Sequence, residues 1–202
     1  MRKQLSKAGY HQQFLLGYWH AFESDVKRKN WKYIFRLWYE AAVSGHKRAQ
    51  FYIGTCYDFG KGVEKNVEEA FKWYLRAAYL GHRDAQYNVG FFFREGEQME
   101  QDEKKAVKWF ILAARQGLID AQRDLGVCYF YGKGVPEDHV RAVYWYKKAA
   151  KHNDAGALYN LGLCYKHGDG VATSARWAKH YFEKAAHIGH KGAKKQLKDY
   201  IL

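Results

Sequence analysis

Pairs of alanine at 41/42, 77/78, 113/114, 149/150 and 185/186 stand 36 residues apart along the chain. A recurrence of that length constrains the fold more than any bulk property, because each unit is one supersecondary element that its neighbours must cover. Other positions keep the same spacing. A turn residue follows at Gly45, Gly81, Gly117, Asn153 and Gly189, then an alanine at Ala49, Ala85, Ala121, Ala157 and Ala193. Glycines recur at Gly54, Gly90, Gly126 and Gly162 and again at Gly60, Gly96, Gly132 and Gly168. Aromatics recur at Tyr57, Phe93, Tyr129 and Tyr165, while Trp73, Trp109 and Trp145 share a register that Tyr181 continues.

Each unit reads as two helices. Ala121, Leu125 and Cys128/Tyr129 fall on one face of a first helix, and Ala142, Trp145/Tyr146 and Ala149/Ala150 on one face of a second, with the three-to-four step of amphipathic helices. Asn66, Asp138 and Thr173 are placed to cap second helices, and Glu69 stands where it completes a capping box with Asn66. The glycines at 45, 81, 117 and 189 suit a left-handed helix terminus, and Asn153 is the best substitute for a fifth. GKGV at 60–63 and 132–135 and GDGV at 168–171 supply the turn within each pair. Small residues let the backbones approach, and the tryptophan register is expected to fill the remaining space. Truncating Trp109 to Ala should then cost roughly 3–5 kcal/mol.

Composition narrows the class. Aromatics make up 18% of the 202 residues and cysteines number three, which excludes a disordered tail and a disulfide-framed miniprotein. The N-terminus begins basic, but Lys7, His11, Gln12 and Gln13 interrupt any secretory core. No run approaches a membrane span, so a cytoplasmic protein is expected.

The pattern A-x-x-x-L-G-x-x-Y-x-x-G-x-G-V followed by A-x-x-W-Y-x-x-A-A, nearly complete over residues 120–150, resembles the Sel-1-like repeat, a relative of the tetratricopeptide repeat. The resemblance covers about residues 10–202. It implies an all-α, right-handed α/α superhelical solenoid whose first helices line the concave side. The expected organisation is a single repeat domain over 1–202: a degenerate unit at 9–45, repeats at 46–81, 82–117, 118–153 and 154–189, and a polar capping helix at 190–202. Three departures stand out. QQFLLG (12–17) aligns with AQFYIG (49–54) at an offset of 37, Gln98 occupies a glycine slot in GEQM (96–99), and Lys198 falls where the pattern has glycine.

No reaction is written in the sequence. Cys56, Cys128 and Cys164 occupy one register that Phe92 also fills, the signature of an apolar packing slot and of buried free thiols. His46, His82 and His190 likewise share a register, and no zinc-ligand spacing, nucleophile elbow or phosphate loop accompanies the ten histidines. No cofactor, no metal and no enzyme are expected.

The resemblance implies a non-catalytic interaction module or adaptor that takes an acidic or extended protein segment in its concave groove. Some bacterial relatives look like immunity proteins that neutralise a secreted toxin, which is an alternative. A cysteine-rich subgroup linked to β-lactam processing is a further alternative, disfavoured because no unit here has two cysteines. Aligning the family pattern places Phe14, Tyr18, Arg48, Asp58, Phe59, Phe91, Arg94, Arg123, Phe130, Tyr131 and Lys166 in the groove. Rings interleaved with arginines suit a protein partner. Phe51, Tyr87 and Tyr159, in one register, are instead expected to pack between units. The formal charge is +13, concentrated in residues 1–33 and 142–202, and Lys191, Lys194, Lys195 and Lys198 form a basic end patch. An acidic protein partner is favoured, and nucleic acid is disfavoured for want of any recognition motif.

Overall fold

The computed structural model describes residues 5–96 and 100–200, so Gln98 lies outside the described residues. Among them every regular element is helical. The chain divides into two compact units, at residues 1–100 and 101–202. The first holds α1 (Lys7–Tyr18), a π-helical turn (Trp19–Glu23), α2 (Trp31–Val43), α3 (Lys47–Phe59), α4 (Val67–Tyr79) and α5 (Arg83–Glu95). The second holds α6 (Glu103–Arg115), α7 (Ile119–Tyr131), α8 (His139–Ala150), α9 (Ala155–His167), α10 (Ala175–His187) and α11 (Lys191–Leu197). Within each unit the helices pack mainly on their chain neighbours, which is how repeat arrays accumulate stability.

Gly54 sits against the ring of Tyr74, Gly126 against Tyr146 and Gly162 against Phe182, each so closely that an added Cβ would lie 2.4–2.6 Å from a ring carbon. The filling ring is therefore not the tryptophan register. Tyr74, Tyr146, Phe182 and Phe110 are at most 2% exposed, whereas Trp109 and Trp145 are only half-buried. Trp73, at 4% exposure, is the buried member of its register. The expectation for Trp109 is corrected accordingly.

The degenerate first unit follows the same rule. Gly17 faces Trp38, whose Nε1 would lie 2.6 Å from an added Cβ. The stretch from Gly17 to Trp38 is one residue longer than that from Gly54 to Tyr74. The surplus coincides with the π-helical turn at Trp19–Glu23, a geometry that absorbs a single inserted residue within a helix. The sequence offset of 37 is thus taken up before α2 begins.

The turn chemistry matches the residues in most places. Gly60, Gly96, Gly132 and Gly168 end first helices in the left-handed region, and Asn153 (φ 59°) is the non-glycine with positive φ among the described residues. Gly62, Gly134 and Gly170 serve a different purpose: an added Cβ would strike the carbonyl of Trp31, Glu103 or His139 at 2.2–2.3 Å. Each turn thereby rests on the start of the preceding second helix.

Asn66 and Asp138 cap α4 and α8, accepting from Glu69 N and Arg141 N. Ser174, not Thr173, caps α10, accepting from Trp177 N. The capping box at Asn66 does not form. Its backbone N–H donates to Tyr57 O at 2.8 Å, and Glu69 reaches Lys72 instead. Asp138 N and Ser174 N donate in the same way to Tyr129 O and Tyr165 O, so the aromatic register also anchors the start of the second helix.

Candidate partner-binding surface

The seams between repeats explain the histidine register. His46, His82 and His190 cap α3, α5 and α11, each Nδ1 accepting from the backbone N–H of Ala49, Ala85 or Ala193. Their rings stack on an aromatic of the preceding first helix: Phe14 and Phe51 at 4.5 Å, Tyr159 at 4.3 Å. Phe51 and Tyr159 thus pack between units. Burial lowers the His46 pKa, with His11 and Arg48 adding to the effect. Burial likewise takes His82 down to about 4, against an opposing pull from Asp84. With Nδ1 of His46 accepting, its Nε2–H donates to His11 Nδ1 at 3.0 Å.

A second register ties the seams and was missed in the sequence reading. Gln50, Gln86 and Gln122 are buried, and each Nε2 donates across eight residues to the carbonyl of Ala42, Ala78 or Ala114. The 36-residue recurrence of glutamine at a core-facing position was the available signal, since a buried amide must find partners. In the last repeat Leu158 takes this slot.

The groove residues fall into different environments. Phe14 is fully buried, held by His46 and covered by the guanidinium of Arg48 at 5.0 Å, so it belongs to the core of the first unit rather than to its surface. Tyr18 is half-buried beneath the same exposed Arg48. Asp58, Phe59 and Phe91 come together. With Phe51, Tyr87 and Glu95 they line a cleft of about 430 Å³ between α3 and α5. Phe59 is 66% and Phe91 40% exposed. Asp58 accepts from the Tyr74 hydroxyl at 3.2 Å, and burial raises the Tyr74 pKa. Arg94 lies over Phe91 at 4.8 Å and pairs with Glu95 at 2.9 Å.

In the second unit Arg123 is drawn inward to Asp120, Asp124 and Asp154. Phe130 is half-buried and stacked on His139 at 4.6 Å, while the adjacent Tyr131 is exposed. Lys166 donates to Gln196 Oε1 and Asp199 Oδ2, which fastens α9 to the C-terminal helix. Lys191, Lys194, Lys195 and Lys198 are all exposed.

Cys56, Cys128 and Cys164 are free and buried. Burial pushes the thiols of Cys56 and Cys164 up to about 12, far from the thiolate that ligation or nucleophilic attack needs. Among the described residues no three His, Cys, Asp or Glu side chains gather as a metal site, and no helix is long and apolar enough to cross a membrane.

Comparison with known proteins gives the same architecture. The Sel1 repeat family model matches residues 47–82, 83–118, 119–154 and 155–190. A Sel1 repeat protein from Oxalobacter formigenes is similar at 33% identity and a TM-score of 0.83, over 95% of this chain and 76% of that one. A protective antigen of uropathogenic Escherichia coli strains with an SLR fold is similar at 31% identity and a TM-score of 0.86. This match covers 96% of this chain but only 44% of the antigen. An immunity protein from Pseudomonas aeruginosa, at 22% identity, a TM-score of 0.54 and coverage of 92% and 68%, shares the fold alone. No curated protein matches the sequence.

Proposed function

The chain belongs to the Sel1 repeat family, whose members generally mediate protein–protein interaction, and on that premise we propose that it is a non-catalytic binding module. It takes an extended segment of a partner protein in the cleft between α3 and α5. The supporting observation is the pair of exposed rings, Phe59 and Phe91, on the rim of that cleft. Rings left in water by folding are the residues that contribute most when a partner covers them. Arg94 over Phe91 adds a planar donor beside the apolar surface. The net charge of +13 favours an acidic partner, and Lys191, Lys194, Lys195 and Lys198 steer its approach.

Selection of a random peptide-display library on the purified protein tests the reading. Enriched peptides should carry acidic residues beside an apolar anchor. Their affinity should fall at least tenfold for the Phe59→Ser/Phe91→Ser variant, whose fold is checked by its melting temperature. Equal affinity for both proteins would move the site away from this cleft.

A further inference from the structure

A second cleft, of about 270 Å³, opens in the C-terminal unit at the seam of α8, α9 and α10. Its rim carries Lys147, Lys151 and Lys184, and its lining includes Leu158, Leu161 and Tyr181. We infer that this lysine-rimmed cleft is a second binding site, separate from the aromatic cleft of the first unit, and that it takes an acidic peptide segment bearing one apolar side chain.

Repeat duplication does not account for Lys147, the member of the rim that completes the cluster. The slot of Lys147 holds Leu75, Ile111 and Glu183 in other repeats, so a cation has entered a position with no cationic precedent. The slot of Lys151 holds Val43, Tyr79 and Arg115, and that of Lys184 holds Arg76, Leu112 and Lys148, so these two keep a recurrent cation that Lys147 joins. The floor has changed as well. Leu158 stands where Gln50, Gln86 and Gln122 bind an alanine carbonyl, which replaces a polar tie by a buried apolar side chain at this seam.

The charge is uncompensated. Residues 142–202 contain four acids. Asp154 is engaged by Arg123 and Asp199 by Lys166, while Asp169 lies 4.0 Å from His139. The fourth, Glu183, is not among the residues that line the cleft. None of the three lysines takes part in an ion pair among the described residues, and Lys147 lies 5.9 Å from the ring of Tyr165. Cations in the last turn of a helix complement its dipole. That explains one lysine per helix end, but not three converging on one apolar floor. A segment with alternating carboxylates and one aliphatic side chain satisfies both features together.

The test is fluorescence anisotropy with a labelled EELEE peptide against the full-length chain, with EEGEE and KKLKK peptides as controls. The wild type should prefer EELEE to both controls. Replacing Lys147, Lys151 and Lys184 by Gln should weaken EELEE at least tenfold, and the triple Arg variant should retain it. Protection of Lys147, Lys151 and Lys184 from acetylation by bound EELEE provides a readout on the unaltered protein. The Phe59→Ser/Phe91→Ser variant should bind EELEE as the wild type does, so failure of one cleft is separable from failure of the other. The inference is overturned if EELEE binds no better than KKLKK. It is equally overturned if replacing Lys191, Lys194, Lys195 and Lys198 costs as much as replacing the three rim lysines, or if the three rim lysines stay unprotected.

Discussion

Arg123 donates from Nη1 to Asp154 Oδ2 at 2.9 Å, and this ion pair occupies the seam position where Tyr159 elsewhere stacks on His190. Asp154 also caps α9 by accepting from Ala157 N at 2.7 Å. One carboxylate therefore performs the two tasks that an imidazole performs at the seams of His46, His82 and His190. Asp154→Ala should destabilise the protein by roughly 1–2 kcal/mol, combining a lost cap with a partly buried ion pair that leaves Arg123 its other two carboxylates. The double variant Arg123→Tyr/Asp154→His reproduces the aromatic–histidine seam and should recover most of that loss. Urea denaturation of the wild type, Asp154→Ala and the double variant checks both statements.

Acidification provides a second test. His82 is held neutral because its Nδ1 accepts the Ala85 N–H inside a stacked, mostly buried seam, with a pKa near 4 against 6.5 for the unfolded chain. Between those values the unfolded state binds the extra proton, so stability must fall as the pH drops below 6.5 and stop falling near 4. After discounting for partial exposure the loss is about 2 kcal/mol, and His46 adds to it in the same direction. His82→Asn keeps a capping oxygen but cannot titrate, and its stability measured against pH should be flatter over this range.

Packing at the glycine register predicts unequal costs for neighbouring substitutions. Gly126→Ala drives a methyl into the Tyr146 ring at 2.5 Å and should cost roughly 1–3 kcal/mol. Tyr146→Ala should cost about 3–5 kcal/mol, whereas Trp145→Ala, removing a half-buried ring, should cost clearly less. The Gly126→Ala/Tyr146→Ala double variant should be less destabilised than the sum of the singles. Chemical denaturation midpoints suffice to rank them.

Thiol labelling tests the core directly. With Cys56 and Cys164 buried and their thiols pushed up to about 12, the folded protein should resist a disulfide reagent at neutral pH. All three cysteines should react on adding denaturant, as global opening exposes them. Fast labelling of the native state would contradict the packing described for this register.

The helical units, the left-handed glycines and Asn153, and the apolar cysteine slot follow from the 36-residue recurrence and from backbone sterics. The choice between Trp73 and Tyr74, or between Trp145 and Tyr146, does not. Adjacent aromatics on a helix point about 100° apart, and periodicity alone cannot tell which meets the glycine of the partner helix. Glu69 was misread for another reason: its expected partner, the Asn66 N–H, already belongs to a carbonyl nine residues upstream. Among the groove candidates, Asp58, Phe59 and Phe91 converge on one cleft, while the burial of Phe14 and the internal ion pairs of Arg123 and Lys166 depend on neighbours no local pattern reveals.

The π-helical turn at Trp19–Glu23 changes how units of this kind should be counted. A repeat is usually tallied by consensus and period, and by that criterion the matched repeats begin at residue 47. Counted by contact, the array begins with Gly17 and Trp38, which interlock as Gly54 and Tyr74 do despite an extra residue between them. What descends unaltered from unit to unit is a spatial meeting of two side-chain positions. Chain length between them is free to drift wherever a helix can widen by one residue.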